Sequence, residues 1–111
     1  MALIGQWVFK AGGTTMYSPS FPRGGLGAVF NATTLAQIGS PSLTITVEHK
    51  NHDDTTWASL GAFTLIATLG NFQEDLSGIK EEVRFAYAIT GSQDYVGFLL
   101  LVTAPAWRPY A

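Results

Sequence analysis

Cysteine is absent from this 111-residue chain, which excludes a disulfide framework and any thiolate-ligated metal centre. Whatever staples the fold must come from packing or assembly. Charge is scarce as well: Asp, Glu, Lys and Arg together make up 13% of the residues, about half the share of an ordinary soluble domain. Six Lys and Arg against eight Asp and Glu leave a net charge of -2. The cations are scattered, from Lys10 and Arg23 to Arg84 and Arg108, and form no clustered footprint of the kind that phosphate backbones require, so nucleic acid is not the expected partner. No apolar run approaches the ~20 residues that span a bilayer; the longest, YVGFLLLV from Tyr95 to Val102, falls far short. The opening MALIGQWVFK has neither the basic n-region nor the long apolar stretch of a signal peptide. These features predict a soluble protein, made in a cytoplasm, with no membrane partner.

What is present is a globular composition. Hydrophobic residues make up 47% and aromatics 13% of the chain, far from the apolar-poor composition of disorder. The length suits one domain, 1–111, with a single core, and the sequence shows no linker, internal repeat or low-complexity tract. A low-charge, mildly hydrophobic surface has two readings: a compact β protein rich in Thr and Ser, or an exterior partly covered by other subunits.

Periodicity points to strands. SLTITVEHK (Ser42 to Lys50) alternates strictly, with Leu43, Ile45 and Val47 on one face and Thr44, Thr46, Glu48 and Lys50 on the other. NHDDTT (Asn51 to Thr56) then supplies turn residues. VRFAYAIT places Val83, Phe85, Tyr87 and Ile89 on one face, and GSQD (Gly91 to Asp94) turns it into the run from Tyr95 to Val102, as in a hairpin. That last run is apolar on both faces, which asks for a cover on its outer side. WASLGAFTLIATLGNF (Trp57 to Phe72) fits a strand interrupted near Gly61 better than a helix. AVFNATTLAQI (Ala28 to Ile38) fits either period and is ended by Gly39, Ser40 and Pro41. Turn signals recur about every 8 to 12 residues, the rhythm of a β-sandwich or jelly roll. The expected fold is therefore all-β: a single antiparallel β-sandwich or jelly-roll-like domain.

A search for chemistry finds little. His49, His52, Asp53 and Asp54 are the densest group of potential ligands, but their spacing matches no zinc motif and no third His or Cys completes a site. A strand-end histidine beside a polar turn is the simpler reading. Glu74 with Asp75 and Glu81 with Glu82 are adjacent carboxylates, which extended backbone turns to opposite faces rather than toward one substrate. No nucleophile elbow or phosphate loop occurs. Neither catalysis, a metal nor a cofactor is expected. Trp57, Tyr95, Trp107 and Tyr110 could instead form a sugar-binding platform.

Two segments are unlike the rest. TTMYSPSFPRGG (Thr14 to Gly25) has Pro19 and Pro22 between flanking glycines, which predicts an extended N-terminal arm or long loop over about 12–27. Met16, Tyr17 and Phe21 are too apolar to leave in water. APAWRPYA (Ala104 to Ala111) reads as a docked C-terminal tail over about 104–111. Trp, Tyr and Arg are common interface anchors, so Met16, Tyr17, Phe21, Arg23, Trp107, Arg108 and Tyr110 are the candidate interface residues, either on a neighbouring subunit or on their own domain.

TTMYSPSFPRGG, VEHKN, GIKEEVRF (Gly78 to Phe85) and APAWRPY together resemble the small β-sandwich proteins that decorate the capsids of tailed bacteriophages. The resemblance runs from about Trp7 to Tyr110 and lies in overall texture, since such proteins carry no diagnostic catalytic or ligand motif. It implies a cement protein on the capsid exterior, assembled in the host cytoplasm, clamping subunits of the major capsid protein as a homo-oligomer, often a trimer. A carbohydrate-binding module or tail adhesin using exposed aromatics is the alternative.

Overall fold

The computed structural model describes the backbone of residues 2–9 and 103 and, with side chains, residues 15–39, 41–90, 96–102 and 105–109. Ten strands account for most of these and no helix occurs among them: β1 (Ala2–Phe9), β2 (Met16–Tyr17), β3 (Phe21–Pro22), β4 (Gly27–Ile38), β5 (Ser42–Lys50), β6 (Ala58–Ala62), β7 (Gly70–Ser77), β8 (Glu82–Thr90), β9 (Gly97–Thr103) and β10 (Ala106–Arg108). Every ladder is antiparallel.

The strands form two sheets. In the first, β1 pairs with β9 and β9 with β4, while β7 lies on the other edge of β4. Ala28 pairs with both Leu76 of β7 and Trp107 of β10, so β10 shares with β9 the edge of β4 that faces away from β7. In the second, β2 and β3 follow one another along β8, which pairs with β5, which pairs with β6. The two sheets pack face to face as a sandwich. Its core draws Ala28, Phe30, Ala32, Phe98, Leu100 and Val102 from one sheet and Leu43, Ile45, Val47, Val83, Phe85, Tyr87 and Ile89 from the other. Strict alternation explains β5, whose Leu43, Ile45, Val47 and His49 are buried while the residues between them are half-exposed.

Both proline-rich segments lie on this domain as strand. From Tyr17 to Phe21 is four residues along the β2–β3 edge, answered by three on β8, Ala86 to Val83. The extra residue is a bulge, which is where proline can sit without removing a ladder bond. Ser18 bridges it: its N–H donates to the Phe85 carbonyl at 2.9 Å, and its hydroxyl accepts from the Phe85 N–H at 2.9 Å. The C-terminal segment repeats the device. Four residues from Val102 to Ala106 answer three on β4, Ala32 to Val29, and the buried Pro105 falls in the bulge. Over Met16 to Pro22, the arm or loop expected over 12–27 is thus an edge strand with a kink; its first residues, Gly12 to Thr14, lie outside the described residues, as does the GSQD turn.

The Trp57 to Phe72 run breaks after Ala62 rather than at Gly61. Ile66 then makes an isolated bridge to Leu43, and strand resumes at Gly70. Gly39 and Gly78, with φ of 72° and 74°, occupy the left-handed region where only glycine is unstrained.

Candidate interface

Four aromatic rings close one end of the sandwich. Phe21 meets Phe85 at 5.6 Å between centroids, Phe85 meets Phe30 at 5.9 Å, Phe30 meets Trp107 at 6.3 Å, and Trp107 returns to Phe21 at 6.4 Å. Three of the four contacts are edge-on, at 68°, 85° and 75° between ring planes, the arrangement that ring quadrupoles favour, and the fourth, Phe21 with Phe85, is tilted by 39°. Because Phe21 and Phe85 belong to the second sheet and Phe30 and Trp107 to the first, this box joins the sheets through the two proline-rich segments. It depends on close backbone approach. A Cβ on Gly24 would come 2.7 Å from the Trp107 ring, and one on Gly25 would run into the Arg108 carbonyl.

The structure therefore brings Phe21 and Trp107 together and sets Arg108 beside them, its guanidinium 2.6 Å from Asp75 of β7. Arg23 turns elsewhere, donating to the Ile79 carbonyl at 2.6 Å. Met16 packs against the core, and Tyr17 stays 53% exposed. Tyr110 lies outside the described residues.

Tyr17 belongs to a second cluster, on the outer face of the second sheet. The Arg84 guanidinium sits 4.0 Å from the Tyr17 ring centroid and 4.5 Å from that of Trp57, a cation held between two aromatic faces. The Arg84 Nε donates to Glu48 at 2.7 Å, across the β5–β8 rung that pairs them. Lys50 also approaches Trp57, at 5.3 Å, and reaches Glu82 at 3.6 Å. The aromatics considered for a sugar platform are thus engaged separately: Trp57 by cations on the outer face, Trp107 by phenylalanines between the sheets. Tyr95, like Tyr110, lies outside the described residues.

The histidines sit at the charged end. His49 is buried, and its Nδ1 accepts the Lys80 N–H at 3.2 Å. Burial pushes its pKa below the ordinary 6.5, and the Lys80 charge adds to the shift. His52 is exposed and lies 3.7 Å from Glu81 and 3.3 Å from Glu82. The turn is closed by the Asn51 N–H donating to Asp54 at 2.9 Å. No group of three or more possible ligands converges among the described residues.

The two ends differ in charge. Among the described residues, every Asp, Glu, Lys and Arg lies at or beyond the Glu48–Arg84 and Phe30–Glu74 rungs, toward the turns that carry Lys50 to Asp54 and Lys80 to Glu82. The opposite end, built from the last residues of β4, the start of β5 and the 63–69 loop, carries none among the described residues. Instead Leu35, Ile38, Leu65 and Leu69 are exposed there, Leu65 at 58%. Thr34 anchors this end: its hydroxyl accepts the Gly70 N–H at 3.0 Å and donates to the Thr68 carbonyl at 2.9 Å. Sequence reasoning missed both this apolar end and the Arg84 cluster. The signal for the first was present, since no charged residue occurs from Gly24 to Val47 or from Thr55 to Gln73.

Comparison with protein-family models, curated proteins and solved structures gives no match.

Proposed function

We propose that the protein is a non-enzymatic structural component of a bacteriophage particle, decorating and stabilising the head by binding the assembled shell of major capsid protein as an oligomer. Strand order carries this reading. With β2–β3 and β9–β10 each counted as one bulged strand, the sheets run 1-8-3-6 and 2-7-4-5. We read this as jelly-roll order, two Greek keys wound into a sandwich, an architecture used by viral capsid domains and by lectins. The capsid side of that pair is supported by Leu35, Ile38, Leu65 and Leu69, exposed apolar side chains toward one end of the sandwich that gain by being covered. The lectin side has less support: the Trp57 ring is already engaged by Arg84, and the Trp107 ring packs edge-on against Phe30.

In this role the apolar end faces the shell and the charged end faces solvent. A protein that binds the assembled shell and not its free subunits stabilises the shell by the free energy of binding. Quantitative mass spectrometry of density-purified particles from the strain that encodes the protein tests the proposal. A copy number comparable to that of the major capsid protein is expected. A handful of copies would overturn decoration in favour of a tail component, and absence from particles would overturn a virion role.

A further inference from the structure

Four strand edges bound the two sheets, and the chain guards three of them. β7 carries Glu74 and Asp75, the latter exposed and paired with Arg108. β6 has only 5 residues. The β2–β3 edge has Pro19, Pro22 and the bulge at Ser18. Charge, brevity, proline and bulges are the devices by which sheet edges avoid pairing with other strands. β1 is the least guarded: its 8 residues, ALIGQWVF, include no charge and no proline, its one register shift falls at its very start, between Ala2 and Ile4, leaving Ile4 to Phe9 in regular register, and among the described residues it pairs with β9 alone. In an antiparallel ladder alternate residues turn both N–H and C=O away from the partner, so every second residue of β1 presents a donor and an acceptor to the outside.

We propose that β1 is a homotypic assembly edge, at which two copies of the chain pair β1 with β1, antiparallel about a two-fold axis, to join their first sheets into one. The occupant is a second copy because an antiparallel edge is its own complement under two-fold symmetry. β1 has no charge with which to select an unlike partner, and a net charge of -2 sets little repulsion between copies. The pairing is independent of what the assembled protein covers, so it stands or falls apart from the capsid reading.

The test uses the full chain, free of any particle. Sedimentation over a wide concentration range should show a monomer–dimer equilibrium. Mixed samples, one copy labelled with 15N and the other with 13C, should give intermolecular NMR contacts between β1 backbones. Gln6→Lys, which adds the charge that the other edges use, should raise the dissociation constant by up to roughly fivefold, since like charges across a strand pair are worth up to about 1 kcal/mol. If that variant fails to fold, the mixed-label contacts of the unmodified chain decide. A monomer at every concentration, a trimer, or a dimer whose contacts fall on Leu35, Leu65 and Leu69 instead of β1 would each overturn the proposal.

Discussion

Replacing Tyr87 by Phe should stabilise the protein, an uncommon sign for a change in a packed core. The Tyr87 side chain is 1% exposed and stacked on Phe85 with centroids 6.4 Å apart. Its hydroxyl has no hydrogen-bond partner among the described residues, although Ser18 lies near enough to affect its ionisation. An unpaired buried hydroxyl costs about 1–3 kcal/mol by mutational measures. Removing one oxygen leaves a void that returns less than about 1 kcal/mol of that gain. The net expectation is about 1 kcal/mol of added stability, or roughly 4 °C in melting temperature for a domain of this size. Urea titration should show a higher midpoint at unchanged slope. Alkaline pH gives a second readout. Burial pushes the Tyr87 phenol well above its ordinary 10.0. A raised folded pKa means that the neutral phenol's contribution is intact below pH 10 and is lost as pH climbs through the folded value. The Phe variant escapes that loss, so the difference should widen above pH 10. A loss of about 1 kcal/mol or more at neutral pH, at unchanged slope, would refute the reasoning by showing that the hydroxyl has a partner.

Trp107→Ala opens the aromatic box and should cost about 2–4 kcal/mol in urea titration, with the loss falling on both sheets because the ring touches Phe21 and Phe30. Gly25→Ala should release β10 through the clash with the Arg108 carbonyl, seen as faster amide exchange at Ala106 to Arg108. Lowering pH from 7.5 to 5.5 should weaken the native protein, because a depressed His49 pKa gives stability that is present above 6.5 and lost as pH falls through the folded value; in His49→Gln the two pH values should give a smaller difference in urea midpoint. Arg84→Lys should lose most of what Arg84→Met loses, about 1 kcal/mol, since an ammonium cannot stack flat between Tyr17 and Trp57 while donating to Glu48.

The faces of β5 and β8 were legible in sequence because each is two-sided and regular: Leu43 to Val47 alternates throughout, and Val83 to Ile89 is interrupted only by the buried Ala86. β4 was not, because AVFNATTLAQI fits a period of 3.6 as well as 2, and ladders on both of its edges decide for strand. Tertiary pairing also hid strand in the segment around Pro19, where the disallowed residue falls in a bulge that depends on the Ser18 and Phe85 exchange. Of the interface candidates, the meeting of Phe21 with Trp107 needed the relation between the sheets, which no local pattern encodes. The Arg84 cluster joins residues 17, 48, 57 and 84 from four segments, so register had to be known first. The apolar end was written in the sequence as two charge-free runs, but only the fold shows that both arrive at the same place.

The aromatic box also fixes when this protein can finish folding. Its four rings lie at positions 21, 30, 85 and 107, and the ladders beside it join β2 to β8 and β1 to β9. Contacts so distant along the chain must wait for loop closure and make β proteins slow to fold. A chain still being synthesised can form β5 with β6, yet it has no strand to place beside β1 until β9 exists and no ring to cap Phe21 until Trp107 has emerged. Until then the apolar faces of Ile45, Val47 and Phe30 stand open, and sticking to other unfinished chains competes with closure. Production at low temperature and low expression rate should therefore raise the soluble yield more than any single stabilising substitution.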